Sequence, residues 1–364
     1  MGMVRAHRGE KVLKIIFVLP DMAGGGTERV VSLLANEYVK RGFEVAILSF
    51  AGTQQAYDLD KRVETVSAGR ASGGSLKVRM RRLSFMAKYF RQNRNCQIFS
   101  FSTIGTGFIV LSTLFTGRRM LVSERSDPGA YDHKLYRNFF YGFADRLVCQ
   151  TEEAIACFPK RLQKKACVIG NPVDAAMPTR FTGIREKRIV TAGRLEAVKN
   201  HKMLIEAFGM FRKDFPDYTL EIYGKGSMEE ELRQFVGHKG LTDKVVFRGF
   251  CSNVKEEIRT SSMFVLSSNY EGISNSMVEA MAMGIPVIAT DCPVGGCRTY
   301  IEDGVNGLLV PVGDAVKMAE AMRKLAEDSE FSENISINAE KVRKQYSMQK
   351  IADQMLEAAG IIVK

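Results

Sequence analysis

Short apolar runs alternate along the whole chain with longer stretches in which apolar residues recur every three or four positions. The runs fall near 13–19, 44–49, 97–101, 119–123, 146–150 and 166–169. A second series falls near 188–192, 218–223, 244–247, 263–267, 285–289 and 307–310. Unbroken apolar runs this short predict strands buried on both faces, and the intervening period predicts amphipathic helices. Strands alternating with helices predict an α/β fold built on doubly wound parallel sheets. Two such halves of similar length imply two Rossmann-like domains facing each other across a cleft. Periodicity lapses at 174–186, where Pro, Thr, Gly and charge take over, so the hinge is expected there. The domains then read 1–180 and 181–345, with a last helix at about 348–359 within a terminal segment 346–364.

A length of 364 residues suits two domains with their own cores. The seven cysteines are scattered without a C-x-x-C pair, and the four histidines do not cluster. Reduced thiols in a cytosolic chain are expected, with no metal site. The apolar run 12–20 is too short for a membrane span and predicts a first buried strand. The run 104–115 is broken by Gly105 and Gly107, falls short of the roughly 20 residues that cross a bilayer, and predicts a core helix. Charge is uneven. Residues 1–180 hold 28 Lys and Arg against 15 Asp and Glu, whereas 181–364 hold 24 against 26.

The most informative segment is EGISNSMVEAMAMGIP, where Glu271 and Glu279 flank a loop that feeds a helix N-terminus at about Asn275. Gly284 and Pro286 mark the helix stop. Such an N-terminus presents unpaired N–H groups and partial positive charge to an anion. A capping box, Ser276-x-x-Glu279, accounts for the second glutamate equally well. Upstream, a strand end runs into Gly193, Arg194 and Lys199. Two fixed cations and a helix N-terminus in one half make a seat for a diphosphate. The competing reading for Arg194 is an ion pair with Glu196 or Glu206.

Other nucleotide folds are disfavoured. No G-x4-G-K-[ST] loop exists, and Gly24-Gly25-Gly26 lacks the third glycine and distant acid of a dinucleotide fingerprint. The one D-x-D, Asp58-Leu59-Asp60, lies in a polar stretch outside the second half, so no divalent metal and no cofactor are expected.

Taken in order, several motifs resemble those of the retaining GT-B glycosyltransferases of family 4. They are Gly24–Arg29, Ser123-Glu124-Arg125-Ser126-Asp127-Pro128, Asn171-Pro172-Val173, Gly193-Arg194-Leu195 with Lys199-Asn200, Tyr223-Gly224-Lys225-Gly226, the Glu-x7-Glu segment, and Asn306–Pro311. The resemblance implies a GT-B fold with an acceptor-binding first domain, a nucleotide-sugar-binding second domain, and a last helix crossing back to the first. It implies that Arg194 and Lys199 hold the diphosphate of a UDP-sugar and that Glu271 binds the sugar hydroxyls. Glu279 would take the ribose. Gly26, Gly193, Gly224, Gly226, Gly272, Ile273, Ser274 and Asn275 would complete the donor site, and Arg248-Gly249-Phe250 would lie near the base. Gly25, Thr27 and Arg125 would meet the acceptor. Arg125 stands where many relatives carry histidine, and an arginine does not deprotonate, so a clamp rather than an acid/base role is expected. The SERSDP form resembles transferases of bacterial exopolysaccharide, capsule and lipid-linked glycan assembly. The implied acceptor is a polyprenyl-diphosphate-linked glycan at the inner face of the membrane. A non-catalytic partner subunit and a nucleotide-sugar epimerase of the same fold are the alternatives.

The segment 77–94 (KVRMRRLSFMAKYFRQNR) is the densest in basic residues. Leu76, Met80, Leu83, Ala87 and Phe90 recur at helical spacing and predict the buried face of a sheet-packing helix. Its basic face is either solvated or held against an anionic membrane surface. No nucleic-acid recognition motif accompanies the charge, so no nucleic-acid partner is expected.

Overall fold

Thirteen parallel strands form two sheets in the computed structural model, which describes residues 13–52, 54–69, 76–114 and 118–362. The first unit comprises residues up to Pro172 together with those from Met348 onward, and the second comprises Val173–Ser347.

The first unit's sheet contains β1 (Lys14–Leu19), β2 (Glu44–Ser49), β3 (Glu64–Ser67), β4 (Cys96–Ser100), β5 (Met120–Ser123), β6 (Arg146–Cys149) and β7 (Ala166–Val168). They run in the order β3-β2-β1-β4-β5-β6-β7. Residues Ile15 to Leu19 of β1 are wholly buried between the helix layers, which is why its sequence is unbroken hydrophobic. Strand order reverses direction between β1 and β4, which pair in parallel from Lys14 against Cys96.

The second sheet contains β8 (Glu186–Ala192), β9 (Thr219–Tyr223), β10 (Val245–Gly249), β11 (Ser261–Leu266), β12 (Val287–Thr290) and β13 (Leu308–Val310). Its order is β10-β9-β8-β11-β12-β13, with the reversal between β8 and β11. Open sheets of this kind bind ligands beyond the carboxyl ends of the strands at such a reversal. One core packs the helix His201–Phe211 and the helix Ala315–Glu327 on one face. The other packs the helix Asn275–Ala282 on the opposite face.

Three expectations need correction. The segment 174–186 is not a hinge but part of the second unit. Met177 is in its core, and Arg185 donates to the carbonyls of Arg259, Ser261 and Gly284. The basic helix Leu76–Gln92 buries Met86, Tyr89 and Phe90, but Leu76 is 76% exposed and Met80 56%. The helix Thr103–Thr113 is only half a core helix: Ile109 and Val110 are buried, while Ile104, Leu111 and Leu114 face outward. Phe115, expected at its end, lies outside the described residues. The helix Met348–Ala358 packs on the first unit, burying Ile351, Ala352, Met355 and Leu356. The Tyr38 hydroxyl donates to the Ala352 carbonyl there at 3.0 Å.

Candidate functional site

In the second unit, the loops leaving β8 and β11 are stitched together by their own backbones. The Asn269 amide donates to the Val198 carbonyl at 2.8 Å, and the Ser267 hydroxyl donates to the Lys199 carbonyl at 2.8 Å. A single 3-10 turn, Ala197–Lys199, ends at Asn200, which adopts the left-handed region with φ 45°. Asparagine tolerates that conformation, and its side chain caps the helix His201–Phe211 by accepting from the Met203 amide. The turn delivers Lys199 to Glu271, and the two side chains form an ion pair through Nζ and Oε2. Ser268 also donates to that Glu271 oxygen at 3.2 Å.

The Glu271 segment is fixed from the other side by the loop after β12. The Glu271 amide donates to the Pro293 carbonyl at 3.0 Å. Gly296 lies so close that a Cβ there would stand 1.5 Å from the Gly272 carbonyl oxygen. Gly272, Ile273 and Ser274 are buried along this path. The helix Asn275–Ala282 then begins with Ser274 as its N-cap, accepting from the Met277 amide. Ser276 donates to the Ala192 carbonyl at 2.8 Å, pinning the helix start to the last residue of β8. The capping box is thus excluded, because the cap is Ser274 and the residue in box position is Met277. Glu279 instead faces Lys255 at 3.6 Å, and Lys255 also approaches Asp174.

Arg194 follows β8 directly and is exposed. The carboxylates weighed as its partners are engaged elsewhere: Glu196 accepts from the Ser227 amide and hydroxyl, and Glu206 accepts from Lys239. No ion pair of either with Arg194 forms among the described residues, although the hydrogen bonds from Ser227, helped by the Arg194 charge, hold the Glu196 carboxyl below its ordinary range. His201, next to Lys199, is buried and its Nδ1 has no hydrogen-bond partner among the described residues. Burial, reinforced by the Lys199 charge, pushes its pKa down to about 4, so the ring is neutral at neutral pH.

Gly224 and Gly226 have a structural reason that sequence alone does not reveal. Gly224 has φ 135°, and a Cβ on it would lie 1.8 Å from the Gly193 carbonyl oxygen. A Cβ on Gly226 would lie 2.3 Å from the Leu195 carbonyl oxygen. These glycines let the loop after β9 lie directly on the loop after β8. Gly193 differs, since a Cβ there would meet only the Lys199 Cε at 3.7 Å. Arg248 is tied to Glu221 at 2.6 Å, Gly249 accepts from the Gly224 amide, and Phe250 is exposed.

In the first unit, Gly25 is the extended N-cap of the helix Gly26–Lys40, which starts beyond β1 and includes Thr27. Its carbonyl accepts from the Tyr57 hydroxyl at 3.0 Å. Arg125 follows β5 and is held by the protein itself. It donates to the Ser123 hydroxyl and the Asn171 side chain, each at 2.7 Å, and lies over the Phe101 ring. Glu124 accepts from Ser126 and from the buried Tyr141 hydroxyl. Thus Arg194, Lys199, Glu271 and the Asn275 helix start lie together at the reversal of the second sheet. Gly25, Gly26, Thr27 and Arg125 belong to the first unit. Sequence reasoning missed Ser267 and Asn269, which hold the Lys199 turn, and Ser268 and Gly296, which hold the Glu271 segment. The Gly295-Gly296 doublet was the one visible sign of them.

No group of three or more His, Cys, Asp or Glu side chains among the described residues is arranged to hold a metal ion. No described helix is long and apolar enough to cross a membrane.

Two family models match back to back: Glycosyltransferase Family 4 over residues 24–176 and Glycosyl transferases group 1 over residues 181–342. The chain is 25% identical over 95% of its length, and 98% of the relative's, to a Campylobacter jejuni protein. That protein is an alpha-1,4-N-acetyl-D-galactosaminyltransferase of GalNAc-alpha-(1->4)-GalNAc-alpha-(1->3)-diNAcBac-PP-undecaprenol. This chain is 22% identical over 93% of its length, and 97% of the relative's, to an uncharacterized glycosyltransferase of Haemophilus influenzae. Among solved structures, Anabaena Alr3699/HepE in complex with UDP and glucose superposes with a TM-score of 0.81. That match covers 96% of this chain and 100% of the other at 20% identity, a likeness of fold.

Proposed function

This chain belongs to the family 4 glycosyltransferases, and from that premise we propose that it is a retaining enzyme transferring a sugar from a UDP-sugar to a lipid-linked glycan. The observation that carries the reading is the grouping of Arg194, Lys199, Glu271 and the Asn275 helix N-terminus at the carboxyl ends of β8 and β11. Breaking the sugar–phosphate bond leaves negative charge on the distal phosphate. Arg194 and Lys199 meet that charge as fixed cations, and the helix N-terminus adds a dipole and donors from the 272–275 segment. A divalent metal is not needed in this scheme. Glu271 receives the sugar hydroxyls, Glu279 the ribose hydroxyls, and Arg248-Gly249-Phe250 borders the base. Gly193, Gly224 and Gly226 bound the diphosphate path.

The acceptor is read as a polyprenyl-diphosphate-linked glycan of bacterial surface polysaccharide assembly, with Gly25, Thr27 and Arg125 on its path. The Campylobacter relative's undecaprenol-linked substrate supports this. The acceptor hydroxyl attacks from the face the diphosphate leaves, and the departing phosphate oxygen takes its proton. Catalysis at the inner face of the cell membrane by a peripheral protein follows from such an acceptor.

The test is a panel of nucleotide sugars incubated with the purified protein in EDTA, following nucleoside diphosphate release with and without lipid-diphosphate glycans. Release from a UDP-sugar that rises with acceptor is expected. Silence with every donor, and no thermal shift from any nucleotide, would leave a non-catalytic protein of this fold.

A further inference from the structure

The helix Lys134–Tyr141 of the first unit buries a charge and exposes several apolar groups. Its arginine, Arg137, is fully buried, donating to the Pro128 carbonyl at 2.7 Å and lying 4.4 Å from the Phe158 ring. Tyr141 is buried as well, but other apolar residues of the helix face outward: Leu135 is 88% exposed and Phe139 59%, with Phe143 at 52% just beyond the helix. A surface helix of a water-soluble face has the opposite arrangement. The exposed apolar groups are also continuous. Rings touch in sequence from Tyr136 to Phe140, Phe139 and Phe143, with centroids 4.6, 5.2 and 5.4 Å apart. Tyr136 lies over Gly107, where a Cβ would stand 2.2 Å from its hydroxyl oxygen. Gly107 sits in the stripe of the neighbouring helix whose other members, Ile104, Leu111 and Leu114, are exposed. One apolar face therefore spans two helices.

Cations rim this face. Arg79, on the helix Leu76–Gln92, is close enough to Tyr136 to act on its hydroxyl. Arg161 lies at Gly142, just past the helix, 2.6 Å from where a Cβ would stand. Lys134 opens the aromatic helix itself. Across residues 65–123, which supply most of the neighbouring helices, ten Lys and Arg occur without a single Asp or Glu. A contiguous apolar patch marks an interaction surface, and a basic rim selects an anionic partner.

We infer that Leu135, Phe139 and Phe143, with the Ile104–Leu111 stripe beside them, insert into the interface of a bilayer containing anionic lipid. Side chains buried among acyl chains supply the apolar contribution, and Arg79, Lys134 and Arg161 sit at the phosphates. The inference deepens the lipid-linked acceptor reading and rests on it for its purpose, while the contact itself is independent of the chemistry of transfer. It also moves the membrane contact from the basic helix alone to the aromatic helix and the helix Thr103–Thr113 beside it.

The chain has no tryptophan, so Phe139→Trp introduces a single indole reporter. Its emission is expected to shift to the blue on phosphatidylglycerol-containing vesicles, less so at high salt, and not on phosphatidylcholine vesicles. The double variant Leu135→Ser/Phe139→Ser should lose flotation with anionic vesicles by at least about tenfold. Its unfolding temperature and its release of nucleoside diphosphate from soluble donor should remain unchanged. Unshifted emission, or flotation equal to wild type, would overturn the inference. So would sedimentation showing a dimer without lipid that the double variant dissolves, since the face would then bind a second copy. Failure of the donor screen with flotation intact would sink the transferase reading alone.

Discussion

Lys199 and Glu271 neutralise each other, and this pairing determines what a substitution does. In the proposed scheme a diphosphate takes Lys199 from the carboxylate and leaves Glu271 available to sugar hydroxyls. Lys199→Ala is expected to lower kcat by roughly 10²–10³, the scale for one charge-stabilising donor. Steady-state rates near wild type would remove Lys199 from the reaction. His201, buried beside it, gives a separate prediction about acid. Its folded pKa of about 4 lies below the ordinary value near 6.5, so the unfolded chain binds the proton more readily. Stability attached to the neutral ring is complete above pH 6.5 and is lost as pH falls toward 4, by up to about 3 kcal/mol. His201→Gln should therefore unfold less steeply with acid than wild type in urea titrations across that window. Parallel curves would show that His201 does not govern acid sensitivity.

At the scale of elements, the site is made by loops that lie on one another. Gly224 and Gly193 look alike in sequence and differ in the fold. Gly224→Ala puts a methyl into the Gly193 carbonyl at a backbone angle side chains rarely adopt, and should displace both loops. The expected result is a fall of several degrees in unfolding temperature with loss of donor binding. Gly193→Ala fits the protein, with Lys199 at ordinary contact distance. It should leave the unfolding temperature intact and weaken donor binding, if a phosphate passes there. Calorimetry of both variants decides, and equal thermal losses would refute the distinction. The strands were legible as short runs rich in apolar residues, unbroken in Ile15–Leu19 and interrupted by a buried Gln97 in β4 and Glu221 in β9. β3 was not expected, since Glu64–Ser67 (ETVS) is a half-exposed edge strand carrying no apolar run. The stop of the Asn275 helix was legible from its glycine and proline punctuation. Its cap was not, because Ser274 and Ser276 are equally good capping residues and only the fold sends Ser276 to Ala192. Helical spacing likewise announced an apolar face on 76–90 but could not say that Leu76 and Met80 would stay uncovered.

At the scale of the molecule, the first unit is assembled from two separate parts of the chain. The helix Met348–Ala358 packs against the helix Gly26–Lys40, with Arg41 reaching Asp353 and the Gln349 carbonyl. Leu356→Ala is expected to cost the first unit about 3 kcal/mol. Hydrogen exchange should then quicken in β1 and the Gly26–Lys40 helix while β8 and β11 keep their protection. Loss spread evenly over both units would contradict that division.

The same arrangement sets an order of events during synthesis. The ribosome finishes all of the second unit before it makes the helix that the first unit requires. At usual elongation rates that interval is on the order of 10 s. During it the Tyr38 hydroxyl and the apolar face around it have no native cover. The part made first is therefore the part completed last, and a nascent chain stalled anywhere within the second unit carries an unfinished first unit for chaperones to shield.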